Sequence, residues 1–127
     1  MENNKTIMVV DDNPDIITIV RTILEGKGFN VLSASSGAEC LEALKRQKPD
    51  LIVLDIMMPE MDGLEVLTRL KAMTEFSTVP VVLLTAKVQY EDVLGGYKLG
   101  ADYYITKPFT STQLINGINL LLGENKN

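Results

Sequence analysis

Five short apolar runs alternate along this chain with segments of helical periodicity: Ile7–Val10, Val31–Leu32, Leu51–Leu54, Val79–Leu84 and Tyr103–Ile105. That alternation does most to narrow the folds open to it. Short runs rich in β-branched residues suit strands, and runs with almost no polar member suit strands buried on both faces. The intervening segments repeat apolar residues three and four apart, as a helix with one buried face requires. They carry Ile16, Val20, Ile23 and Leu24, then Ala38, Leu41 and Leu44, then Leu64, Leu67 and Leu70. Val93, Leu94 and Tyr97 mark the fourth helix, and Leu114, Ile118, Leu121 and Leu122 the fifth. Asn13-Pro14 reads as a cap followed by proline at the first helical position, while Gly28 reads as a left-handed stop and Gly100 as the end of the fourth helix. The pattern predicts an α/β fold, a flavodoxin-like, doubly wound (βα)5 with a five-stranded parallel sheet in the order 2-1-3-4-5. Residues 1–127 read as a single domain with a core from about 5 to 123. The polar end, 124–127, is either a tail or the stub of a linker.

In that order the topological switch point falls between the first and third strands, where open α/β sheets place their ligands. The first run ends in Asp11-Asp12 and the third in Asp55. Three carboxylates on one edge repel one another, and in isolation at least one would be protonated. A divalent cation and one lysine balance them, two plus one positive charges against three negative. Lys107, just past the fifth run, is the candidate lysine, and Thr85-Ala86 closes the fourth run with a hydroxyl. Other readings of each residue stand beside this one. Asp12 or Asn13 suits a helix cap, as does Thr85, and a lone lysine after a strand is most often solvated.

Composition narrows the chemistry. The chain has no histidine, which removes imidazole acid–base catalysis and typical zinc sites, and one cysteine, Cys40, which excludes an internal disulfide framework. A metal here would be oxygen-ligated: Mg2+, Mn2+ or Ca2+. The net charge of −5 and the lack of a basic cluster argue against direct nucleic acid binding. No apolar stretch is long enough to span a bilayer, and Met1-Glu2-Asn3-Asn4-Lys5 lacks a secretory pattern, so no membrane role and a cytoplasmic location are expected. A phosphoryl group arriving from a phosphohistidine would have to come from another molecule.

From about Lys5 to about Gly123 the chain closely resembles the receiver domain of two-component response regulators, the CheY-like family. Val9-Val10-Asp11-Asp12-Asn13, Asp55-Ile56-Met57-Met58-Pro59-Glu60-Met61-Asp62-Gly63, Thr85-Ala86 and Lys107-Pro108-Phe109 carry the resemblance through their order and spacing. It implies that Asp55 is the phosphoacceptor for a histidine kinase or histidine phosphotransfer protein. It implies Mg2+ (or Mn2+) on Asp11, Asp12, Asp55 and the Met57 backbone carbonyl. Lys107 would pair with Asp55 at rest and with a phosphoryl oxygen afterwards, and the Thr85 hydroxyl and Ala86 N–H would meet further phosphoryl oxygens. Tyr104 falls at the switch aromatic position, although an aromatic on a half-buried strand needs no such role. Met57 and Lys87 fall where the family tunes hydrolysis. Pro108 would follow a cis bond, affordable only before proline, with an ordinary trans proline as the alternative.

The expected output surface is the fourth helix, fifth strand and fifth helix, with Gln89, Tyr90, Tyr97 and Lys98 as candidate contacts. Gly95-Gly96 inside that helix costs roughly 1 kcal/mol per glycine relative to alanine, so the segment should rearrange easily. The expected partners are the phosphodonor and an unidentified output protein or fused output domain, with a phosphorylation-dependent dimer left open. The resemblance makes the chain a signalling phosphoacceptor rather than an enzyme acting on other substrates. A haloacid-dehalogenase-like phosphatase would place its nucleophile on the first strand in an Asp-x-Asp signature, where this chain has Asp11-Asp12-Asn13, and would carry a cap insertion. A non-phosphorylated interaction module has nothing to recommend it, since every acceptor-site residue type is present. A dinucleotide site would need a Gly-x-Gly-x-x-Gly turn that is missing after the first strand.

Overall fold

A computed structural model describes residues 5–86 and 90–123. Five strands and five helices alternate: β1 (Thr6–Val10), α1 (Pro14–Glu25), β2 (Asn30–Ala34), α2 (Gly37–Leu44), β3 (Leu51–Leu54), α3 (Gly63–Ala72), β4 (Val81–Thr85), α4 (Tyr90–Lys98), β5 (Tyr103–Thr106) and α5 (Ser111–Leu122). All pairings are parallel and the order is β2-β1-β3-β4-β5, as the alternation predicts.

The period of two along each strand splits the core into two layers. Met8, Val10, Ile52, Leu54, Val81 and Leu83 face α2 and α3, while Ile7, Val9, Leu51, Val53, Val82 and Leu84 face α1 and α5. The three central strands, β1, β3 and β4, are buried at every position. At about 25 cal/mol per Å² of apolar surface, such side chains each contribute roughly 1.5–3 kcal/mol, the dominant stabilising term.

Several boundaries and faces differ from the sequence reading. The regular turns of α1 end at Glu25, but Gly28 is still the stop residue. Its φ is 89°, its N–H donates to the Glu25 carbonyl, and the Phe29 N–H donates to the Leu24 carbonyl, a Schellman closure. Gly100 closes α4 in the same way, with a φ of 111° and an Ala101 N–H bond back to Gly96. β4 begins at Val81 rather than Val79, because Pro80 has no N–H to give the ladder. On α2 the buried residues are Gly37, Cys40 and Leu44, and Ala38 is exposed. On α4, Leu94 and Tyr97 are 39% and 43% exposed, and the buried position among the described side chains is Gly96. A Cβ built there would lie 2.5 Å from Leu83 Cδ1, so α4 meets the sheet through a glycine and its larger apolar residues are left at the flanks. No helix among the described residues is long and apolar enough to cross a membrane.

Candidate functional site

The ladder carries the acidic residues one step past the strands. The Asp55 N–H donates to the Val10 carbonyl at 3.0 Å and the Asp11 N–H to the Ala34 carbonyl at 3.1 Å, so both leave the same sheet edge. Asp11 Oδ1 accepts from the Asn13 N–H at 2.9 Å, and Asn13 Oδ1 accepts from the Asp15 N–H at 2.9 Å. Asn13 is thus the cap of α1, with Pro14 at its first position. That leaves Asp12 exposed beside the buried Asp11 and Asp55.

After β3 the chain turns sharply back. The Gly63 N–H donates to the Ile56 carbonyl at 2.8 Å, and a Cβ on Gly63 would sit 2.1 Å from the Asp55 carbonyl oxygen. Only glycine allows that approach. Glu60 supplies the reversal with a φ of 66°, and Asp62 Oδ1 caps α3 through the Glu65 N–H at 3.0 Å. Within this loop Met57 donates its N–H to Asp55 Oδ1 at 3.2 Å, and the residue is 54% exposed at the mouth of the site.

Lys107 enters from the other side. Its backbone N–H donates to the Thr85 carbonyl at 2.9 Å, and its peptide bond to Pro108 is cis. The side chain crosses above β4 and β3, placing Nζ 2.8 Å from Asp11 Oδ2 and 3.5 Å from Asp55 Oδ2. The resemblance implies a lysine paired with Asp55. The ammonium bridges both acids and lies closer to Asp11, while Asp55 also accepts from the Met57 N–H and the Thr85 hydroxyl. Thr85 is fully buried in the last position of β4, and Ala86 beyond it is exposed.

Asp55 has its carboxyl held above the usual carboxylate range. Burial is the largest cause and the charge of Asp11 the next, opposed by Lys107, the Met57 N–H and the Thr85 hydroxyl. One carboxylate oxygen from each of Asp11, Asp12 and Asp55 lies within 4.8 Å of the others. A hard divalent cation fits this donor set: all ligands are oxygens, two are fixed by backbone, and the exposed Asp12 leaves room for water ligands.

Tyr104 is half-buried and packs against the layer shared with α2 and α3. The Tyr97 hydroxyl of α4 lies beside the Tyr104 backbone, and burial holds that hydroxyl's pKa above its ordinary value. Lys98 is exposed on α4. Lys87 and Gln89 lie outside the described residues, and nothing is described of the Tyr90 side chain. Gly63 and the Met57 N–H went unassigned by sequence reasoning. The Asp62-Gly63 pair ahead of a helical repeat was the available signal for the first, as a turn and cap.

Residues 7–119 match the family model described as the response regulator receiver domain. The chain is 42% identical over 119 residues, 94% of its length, to the alkaline phosphatase synthesis transcriptional regulatory protein PhoP of Bacillus subtilis, covering 49% of that protein. It spans about half the length of the curated relatives it matches. A solved structure of a putative response regulator from Chloroflexus aurantiacus superposes with a TM-score of 0.91 at 28% identity, covering 95% of this chain and 99% of that one. The receiver domain of a sensor histidine kinase from Pseudomonas aeruginosa, solved with a magnesium ion coordinated in its active-site cleft, gives a TM-score of 0.87 at 26% identity over 95% and 99% of the two chains.

Proposed function

This chain belongs to the response regulator receiver domain family of two-component signalling, and on that premise we propose that Asp55 is its phosphoacceptor. The carboxylate attacks the phosphorus of a phosphohistidine on a histidine kinase or phosphotransfer protein. A P–O bond to Asp55 forms as the P–N bond breaks, and the imidazole of the donor keeps the electron pair. The observation that carries this reading is the convergence of Asp11, Asp12 and Asp55 within 4.8 Å, bridged by a lysine reaching over from β5.

Asp11, Asp12, Asp55 and the Met57 carbonyl would hold Mg2+, with Mn2+ as an alternative. When bound, the ion would favour the ionised form of Asp55 against the burial and the Asp11 charge that hold its carboxyl up, and would neutralise charge on the phosphoryl oxygens. The chain's own residues do the rest. Lys107 hands its charge from the two acids to a phosphoryl oxygen. The Thr85 hydroxyl, which now donates to Asp55, turns to a second oxygen, and the Ala86 N–H meets a third. Met57, which is more than half exposed, would obstruct the water that hydrolyses the product.

Movement of Thr85 opens space beside Tyr104, and Tyr97, whose hydroxyl lies beside the Tyr104 backbone, passes that movement to α4. The α4–β5–α5 surface then engages an output protein or a fused output domain in the cytoplasm. Incubation with acetyl phosphate and Mg2+ followed by intact mass tests the reading. One phosphoryl adduct is expected in the wild type and none in Asp55→Asn. An adduct retained in Asp55→Asn, or missing from the wild type at saturating donor, rejects it.

A further inference from the structure

On the face of the sheet that carries α2 and α3, the two helices touch at one end and line a groove at the other. They touch where a Cβ on Gly37 would lie 2.7 Å from Val66 Cγ2, beside the phosphoacceptor edge. Residues of their last turns line an open groove of about 740 Å³ at the opposite edge. Leu41 and Leu44 line its α2 wall and Met73 its α3 wall, with Phe76 below. Leu44 and Phe76 are each 5% exposed, so the floor is part of the core and does not collapse. One cation tops each wall: Lys45 beside α2 and Arg69 on α3.

In an acidic chain of net charge −5, two of the three charged residues that line the groove, Lys45 and Arg69, are cations. Among the described residues, Glu75 is the one acid along the groove. Lys45 and Arg69 pair with glutamates of their own helices, Glu42 at 3.3 Å and Glu65 at 2.9 Å. Both pairs are solvent-exposed, so little is lost when the cations turn to another anion.

We propose that this groove is a second docking surface, built for an amphipathic helix of a protein partner whose apolar ridge is flanked on both sides by acidic residues. The opposed cations select that occupant. A ridge with acids on both flanks meets Lys45 and Arg69 together, whereas a single-headed amphiphile satisfies one wall. The trough is also open along its length, while small-ligand sites bury most of their ligand. An apolar helix face laid between two helices is a recurrent mode of peptide recognition. Because the groove lies at the sheet edge remote from Asp55, its occupant does not compete with a phosphodonor.

The test uses the chain with a fluorescently labelled helical peptide carrying leucines at i, i+4 and i+7 and glutamates on both flanks. Saturable binding with a Kd of roughly tens of micromolar is expected, as for a small transient interface, with amide shifts centred on Leu41, Leu44, Met73 and Phe76. The double variant Lys45→Glu, Arg69→Glu, whose exposed positions leave folding intact, should weaken binding about tenfold or more. The same variant should prefer a peptide with lysine flanks, the expected sign of rim electrostatics. Equal affinity of the wild type for glutamate- and lysine-flanked peptides would overturn the proposal, as would shifts confined to α4 and β5. So would octanoate filling the groove as tightly as the peptide, or vesicles of anionic phospholipid binding through Lys45 and Arg69 while the peptide does not.

Discussion

α3 and α4 lie on the same face of one sheet, and each follows a strand that ends at the edge carrying Asp55, yet they are held very differently. α3 buries Gly63, Val66, Leu67 and Leu70, is capped by Asp62, and starts against the backbone of Asp55 itself. α4 meets the sheet at Gly96 and leaves Leu94 and Tyr97 substantially exposed. One element fixes Asp55, and the described residues of the other are more thinly packed on the same core. Opening free energies within one domain range from near zero to the global value, and elements that must move are drawn from the low end. The contrast between these helices is what the proposed switch would need: a rigid side at Asp55 and a weakly tethered α4.

The same substitution at different glycines breaks or confirms that contrast. The largest effect is expected for Gly63→Ala. Its Cβ would meet the Asp55 carbonyl oxygen at 2.1 Å and the Ile56 Cα at 2.6 Å, backbone atoms that cannot turn aside. A loss of about 3 kcal/mol or more, at the severe end for overpacking, should appear as a lower urea midpoint. Acetyl phosphate labelling of the fraction that still folds should fall, because Asp55 can no longer hold its place. Near wild-type stability would show that α3 is not anchored as described.

Next in size is a pH effect on the rigid side. Burial pushes the Cys40 thiol up to about 12 from an ordinary 9.0. With the folded value above the unfolded one, the stability contributed is fully present below about 9 and is lost as pH rises through the folded value. The unfolding free energy should therefore fall by up to about 1.4 kcal/mol per pH unit across that window, more steeply than in Cys40→Ala. Iodoacetamide at pH 8 should label native Cys40 only through unfolding, at least about a hundredfold more slowly than in urea. Rapid native labelling would mean that this face of the core is no tighter than α4.

Gly96→Ala should cost about 1–2 kcal/mol. Its Cβ would press on Leu83 Cδ1, a side-chain tip that can yield, and the gain in helix propensity offsets part of the strain. Hydrogen exchange in α4 should quicken while α3 is unchanged; a uniform change in both would dissolve the distinction between them.

The alternation of apolar runs and helical repeats carried the whole topology, because burial and period act locally and right-handed crossovers leave few ways to close the sheet. The acidic edge was equally legible, since Asp11, Asp12 and Asp55 follow directly from the ends of β1 and β3. What sequence could not show depends on distances between elements. Lys107 lies nearer Asp11 than Asp55 because of where a long side chain comes to rest after crossing two strands. Ala38 and Cys40 fit the α2 repeat about equally well until the helix is set on the sheet. Gly95 and Gly96 look alike as residues, and both read as helix weakeners, but only Gly96 has Leu83 beneath it.

That last difference gives the smallest effect. A Cβ added at Gly95 would find no atom of the described residues within 4 Å, so alanine there meets open space. Gly95→Ala removes backbone entropy from the unfolded chain without a clash, and should stabilise α4 by roughly 0.5–1 kcal/mol. Converted at RT, that is about two- to fivefold slower hydrogen exchange in α4, with α3 unaltered. If α4 is the weakly held element that responds to Asp55, the stiffened variant should also show a smaller exchange difference between acetyl phosphate-treated and untreated protein. Labelling of Asp55 itself should proceed as in the wild type. A variant whose α4 exchange does not slow would mean that the helix is limited by its thin contact at Gly96 rather than by its glycines.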